Sequence, residues 1–187
     1  RVFRLAEQEG LLINLVLNNH GRLSAYCDPE WRDNPYNVEN GGYLTDPLAW
    51  FEDERAIRSY EKQLRYEVAR YGWSPHLFAW ELWSELNLAG SKHQDRPHFD
   101  PRVIAWHQRM GRVLQALDPH GHLVSTHVSN DYRVQNPELV KLPELGLAAV
   151  DAYHNHRSPL EIVRLQRQTA DFNAPFGKPV LITEFGG

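Results

Sequence analysis

Residues 76–87 read HLFAWELWSELN. Through Trp83 the stretch is apolar apart from Glu81 and the leading histidine. A continuous apolar run of about this length marks a strand covered on both faces, as in a parallel sheet. Ser84 and Glu85 follow at its carboxyl end. A carboxylate lodged among Trp83, Ser84 and Leu86 contributes little to packing, so it is the first sign of chemistry. Glu81 is expected to point inward on the same face as Glu85.

Working outward, similar runs occur upstream at 11–18 (LLINLVLN) and downstream at 122–127 (HLVSTH), 146–154 (GLAAVDAYH) and 178–185 (KPVLITEF). Helical patterns separate them. From about 52 to 71, Ile57, Tyr60, Leu64, Val68 and Tyr71 share one face, with Gly72 as the stop. Asp100-Pro101 opens a second helix with Val103, Trp106, Met110, Leu114 and Leu117 inward, Asp capping and Pro in the first turn. Ser158-Pro159-Leu160-Glu161 reads as a capping box launching a helix to about 172. The opening RVFRLAEQEG reads as the last turns of a helix ended by Gly10. With no initiator Met and no charged-then-apolar leader, the sequence is expected to begin in mid-fold.

Five strand-then-helix units without hairpin signals imply an α/β fold with a parallel sheet, either doubly wound or a (β/α)8 TIM-barrel type. No glycine-rich phosphate loop follows a strand, which weighs against nucleotide binding. In a barrel, chemistry collects where strands end. Those ends carry Asn18, Asn19 and His20, then Glu85, His127, Tyr153 with His154, and Glu184. The polar, aromatic segment 19–47, about 30 residues, is too long for a plain connection and is expected to be functional.

Bulk properties narrow the partners. The 187 residues fit one domain, with hydrophobic residues at 42% and charged residues at 24%. A net charge of −4 leaves no footprint for nucleic acid. No apolar run approaches the ~20 residues of a membrane span. The single cysteine, Cys27, excludes an intrachain disulfide and leaves the redox compartment open. Six Trp and eight Tyr, many beside Asn, Asp or His, suit either a sugar ligand or an ordinary core. Trp31 on the long loop can stack on a sugar ring or pin the loop to the rim. Trp50, Trp73, Trp80 and Trp106 are expected in the core.

Retaining cleavage of a glycosidic bond needs a protonated acid and an ionised carboxylate ~5–5.5 Å apart across the sugar. Glu85 and Glu184, at the ends of nearly opposite strands, are such a pair. With these residues in view, WELWSELN resembles the segment that ends the fourth strand in clan A glycoside hydrolases of the family 5, cellulase-like branch. KPVLITEFGG resembles the end of their seventh strand, and LNNHGRLS their third-strand stretch. NPYNVENGGYLTDP, YGWSPHLFAWELW and DPHGHLVSTH are similar to further loops and strands, so the resemblance runs through nearly the whole chain.

The resemblance implies a retaining β-glycosidase acting on a poly- or oligosaccharide, with Glu85 as acid/base and Glu184 as nucleophile. It implies that Tyr153 hydrogen-bonds the nucleophile, and that His20 matches the histidine of the third-strand motif. Asn19, Ser84, His127, His154 and Trp31 complete the expected substrate-binding set. Apolar Trp83 and Leu86 are expected to raise the pKa of Glu85 while Glu184 stays ionised. No cofactor or metal is expected, and a secreted or cell-envelope setting is implied by the family alone. Two departures stand out. Ser84 replaces the family's asparagine, whose loss as a donor to the 2-hydroxyl costs on the order of 10²–10³ in rate. Strands one, two and eight are expected to be absent, so the barrel is incomplete, with open edges completed by self-association or by further chain. Glu81 is then expected to find its charge partner on an absent strand.

Two other readings remain. One is a carbohydrate-binding barrel that has lost catalysis, favoured by Ser84. The other is a metal-dependent hydrolase: among ten histidines, His154 and His156 could chelate together with His127. No H-E-x-x-H or other specific spacing supports it, and His120 and His122 fall on the opposite face of a barrel.

Overall fold

The computed structural model describes residues 1–154 and 158–186. His156, half of one histidine pair considered above, lies outside the described residues. The apolar runs become strands β1 (Ile13–Val16), β2 (Leu77–Glu81), β3 (Leu123–Ser125), β4 (His127–Val128), β5 (Ala148–Tyr153) and β6 (Val180–Gly186). The run at 122–127 is broken at Thr126, so one expected strand becomes β3 and β4. β3 pairs with β2, and β4 with β5. The break is bridged by Leu82 N–H donating to Ser125 O at 2.8 Å and His127 N–H to Trp83 O at 3.0 Å.

The strand order is β1-β2-β3 followed by β4-β5-β6, with every pairing parallel. Spatial order therefore follows chain order. A doubly wound sheet reverses its order at a switch point, whereas a barrel does not. The arrangement is an incomplete barrel with five strand positions. The expected absence of a full circle holds among the described residues.

Helices α1 (Val2–Glu9), α2 (Glu54–Tyr71), α3 (Pro101–Leu117), α4 (Pro137–Val140) and α5 (Pro159–Asn173) cover the sheet. Asp53 caps α2 by accepting from Arg55 N and Ala56 N, and Asp100 caps α3 by accepting from Arg102 N. Ser158 makes no side-chain cap, so the expected capping box on α5 does not form. Gly10 ends α1 in the left-handed region at φ 66°. Gly72 ends α2 differently, at φ −62°: a Cβ there would sit 2.7 Å from the Val68 carbonyl oxygen. Close approach, not a left-handed turn, requires glycine at that point. Between β4 and β5 stand a 3-10 turn (Tyr132–Val134) and the single turn of α4.

The expected inward faces of α2 and α3 meet the sheet. Trp50, Phe51, Tyr60, Trp83 and Trp106 form a fully buried aromatic cluster, with Trp83 centred 5.4 Å from Phe51 and 5.9 Å from Trp50. Burying several such rings, each with edge-to-face partners, is the largest single source of apolar stabilisation here. Trp80 is also buried and donates from Nε1 to Asp118 Oδ2 at 3.0 Å. Trp73, expected in the core, is 57% exposed and bonds only its own helix end at Arg70 O. Among the described residues no helix is long and apolar enough to cross a membrane.

Candidate active site

The long loop folds as short 3-10 turns tied by asparagine side chains. Asn34 Nδ2 donates to Arg22 O at 2.7 Å, and Asn40 Nδ2 to Arg32 O at 2.7 Å. Trp31 is buried within this loop and packs into the core, so it pins the loop. Asn19 caps the first turn, its Oδ1 accepting from Arg22 N at 3.2 Å, and so sets His20 in place. His20 is buried with Nδ1 3.1 Å from Glu85 and Nε2 3.2 Å from Asp28.

Glu85 sits four positions past β2 in the left-handed region, at φ 51° and ψ 44°. For a residue with a Cβ this conformation costs roughly 1–2 kcal/mol, and such strain collects at functional sites. The strain is held from several sides. Glu85 N–H donates to His127 Nε2 at 3.3 Å, its carbonyl accepts from Leu88 N at 2.9 Å, and its carboxylate meets His20. Ser84, half-buried, donates its N–H to Asn18 O at 2.9 Å and so ties the turn to the end of β1.

The electrostatics differ from expectation. The hydrogen bond from His20 holds the Glu85 carboxyl below its ordinary pKa, and the same bond raises that of His20. Trp83 does not push Glu85 upward, because its ring is turned into the aromatic cluster. Within the site, burial raises the carboxyl of Asp151, to about 6.

Asp151, on β5, is fully buried and accepts from Thr183 Oγ1 at 2.7 Å. His127 stands between it and Glu81, with Nδ1 2.8 Å from Glu81 Oε1 and Nε2 3.4 Å from Asp151 Oδ1. Burial opposes a charge on His127, but the Glu81 hydrogen bond prevails and its pKa is raised. Glu81 therefore has its partners inside this chain: His127, and Asn14 Nδ2 at 2.5 Å. No further strand is needed to pair it. His127, 3% exposed, lies beneath the site, where it orients other groups.

On the last strand Glu184 is exposed and accepts from the Tyr153 hydroxyl at 2.5 Å. That bond pushes the Tyr153 phenol up to about 12. His154 follows Tyr153 at the same rim, half-buried, its N–H donating to Gly186 O at 3.0 Å. The structure thus gathers Glu85, His20, Ser84, His127, Tyr153 and Glu184 along the carboxyl edge of the sheet, with Trp31 withdrawn into the core.

No family model matches the chain. Individual proteins do. Mannan endo-1,4-beta-mannosidase F of Aspergillus clavatus is 30% identical over 129 residues, covering 67% of this chain and 25% of that protein. The endo-beta-1,4-mannanase from Thermotoga petrophila superposes on 98% of this chain and 44% of its own, with TM-score 0.70 and 20% identity. The Bifidobacterium dentium beta-glucuronidase complexed with coumarin-3-O-glucuronide covers 99% of this chain and 25% of its own, at TM-score 0.62 and 16% identity. The chain resembles the clan A glycoside hydrolases of the family 5 branch.

The fold of this glycoside-hydrolase-like chain is the α/β barrel of its structural neighbours, present in part. Matched stretches span no more than 33% of the curated relatives' own length. Asp151 and Thr183 were missed in the sequence. The available signal was a lone carboxylate inside the apolar run LAAVDAY, the same kind of intrusion that Glu81 makes in HLFAWELW.

Proposed function

We propose that this chain forms the central part of a retaining β-glycoside hydrolase acting on a β-linked poly- or oligosaccharide, with β-1,4-mannan the first substrate to test. The observation that carries the reading is the pair of strand-end carboxylates, each gripped by a different donor: Glu85 by His20 and Glu184 by Tyr153. Glu184 attacks the anomeric carbon, and the Tyr153 hydroxyl keeps its carboxylate aimed. Glu85 delivers a proton to the leaving oxygen and then takes one from water. His20 Nδ1 lies 3.1 Å from the Glu85 carboxylate, close enough to exchange that proton with it. The mannanase relatives support the choice of substrate.

The test is hydrolysis of β-1,4-mannan and aryl β-glycosides. Glu184→Gln is expected to abolish product release, and azide to rescue Glu184→Gly. An unchanged rate in the Gln variant would sink the scheme. A second reading, a carbohydrate-binding barrel without turnover, is favoured by Ser84. Glycan binding by calorimetry without product, and no gain in Ser84→Asn, would establish it instead.

A further inference from the structure

One cluster is only half used by this scheme. His127 Nε2 and carboxylate oxygens of Asp151 and Glu184 lie within 4.8 Å of one another. We propose that these three side chains form a binding site for a divalent first-row transition cation of the zinc class.

The donor set is one imidazole and two carboxylates, a combination such ions accept. The 3.4 Å between His127 Nε2 and Asp151 Oδ1 equals the ~3.4 Å edge of a tetrahedron with bonds of about 2.1 Å. Glu184 offers the third donor, a carboxylate oxygen within 4.8 Å of the other two. The supporting shell is already built. Glu81 accepts from His127 Nδ1 at 2.8 Å, which fixes that tautomer and turns the Nε2 lone pair toward Asp151, the carboxylate–histidine arrangement seen behind metal ligands. The Glu85 N–H that shares Nε2 is 3.3 Å away, a long contact that a cation can replace.

A second observation points to a ligand. Asp151 is fully buried, Thr183 satisfies its Oδ1, and its Oδ2 has no hydrogen-bond partner among the described residues. A buried, unpartnered carboxylate oxygen is costly unless something charged or protic reaches it. Glu184, exposed at the rim, gives an ion its route in from solvent. The other cluster, His20, Cys27 and Asp28, is less suited. Its Asp28 side chain is 82% exposed, so no buried carboxylate backs that cluster.

Occupancy would tie up the Glu184 carboxylate and silence the nucleophile; this consequence alone rests on the glycosidase reading. The binding itself is tested without turnover, by calorimetric titration of the full 187-residue chain with zinc chloride after chelator treatment. One ion per chain is expected. Glu184→Gln and Asp151→Asn are each expected to weaken it by about tenfold or more, and Cys27→Ser to leave it unchanged. Circular dichroism checks the fold of each variant, and the exposed Glu184→Gln carries the test if Asp151→Asn does not fold. Absence of binding, binding that survives Glu184→Gln, or binding lost in Cys27→Ser overturns the proposal. An inactive chain that binds zinc here refutes only the hydrolase, and an active chain that does not bind refutes only the metal site.

Discussion

The two ends of the incomplete barrel are built differently. Around β1 to β3, two long helices with aspartate caps press a cluster of four-aromatic depth and more against the sheet, and Glu85 is wedged between His20 and the His127 ring. Around β5 and β6, the covering helix α5 buries only Leu165, Thr169 and Asn173 and leaves Leu160 69% exposed. Glu184 and Phe185 stand open on the last strand, with Tyr153 as the hydroxyl partner of Glu184. One carboxylate is therefore fixed by packing, the other by a single strong hydrogen bond. Under the proposed function, damage to the first region is expected to unfold the chain and damage to the second to lower turnover.

The comparison breaks most visibly at Trp83. Trp83→Ala is expected to cost about 3–5 kcal/mol in denaturant unfolding, because its three aromatic neighbours cannot collapse into the void. Phe185→Ala, at 62% exposure, is expected to change little in the same measurement. If both cost the same, the two regions fold as one evenly packed unit.

Acid is the next lever. His98 and His107 are buried in the first region and pushed down to about 4 by desolvation. His107 donates from Nδ1 to Val103 O, and its Nε2 has no partner to receive a second proton. Unfolded histidines titrate near 6.5, so between that value and 4 the unfolded chain binds more protons. Their contribution is complete above about pH 6.5 and is lost as pH falls toward 4, on the order of 3 kcal/mol for each. A melting temperature that stays flat across this interval would contradict the buried neutral state, and His107→Gln should flatten it in part.

In the second region Tyr153→Phe is expected to lower turnover by about 1.5–3 kcal/mol while leaving the melting temperature nearly unchanged, since it removes one charge-assisted hydrogen bond at the surface. The smallest contrast is at the helix starts. Asp53→Ala is expected to cost about 1 kcal/mol through loss of the cap on α2. Ser158→Ala on α5, which has no side-chain cap to lose, is expected to stay within about 0.5 kcal/mol.

Much of this was legible from residues. Of the inward faces the 3.6-residue period selects, Ile57, Tyr60, Leu64 and Val68 of α2 and Val103, Trp106, Met110 and Leu114 of α3 are buried, and Tyr71 and Leu117 at the helix ends are half-buried. The strand-end positions of Glu85, Tyr153 and Glu184 followed from the ends of apolar runs. What stayed hidden is lateral. Alternation says that Glu81 points in, but it cannot say that the strand beside it presents His127, because register is set by pairing between strands. The break at Thr126, which turns His127 into the link between Glu81 and Asp151, likewise leaves no mark in a hydrophobicity pattern. The same limit applies to Trp83: it lies two positions from Glu85 in sequence, yet its neighbours in space are Trp50, Phe51 and Trp106.

The sequence by itself determined the parallel α/β design, the helix faces and the two carboxylates, because each depends on spacing along one segment. Only the tertiary structure decided which groups control those carboxylates. Glu85 is held ionised by a histidine sixty-odd residues earlier, and burial raises Asp151, which sequence reasoning passed over. Charge states depend on distance and on exclusion of water, and both are properties of packed strands and loops that no single segment contains.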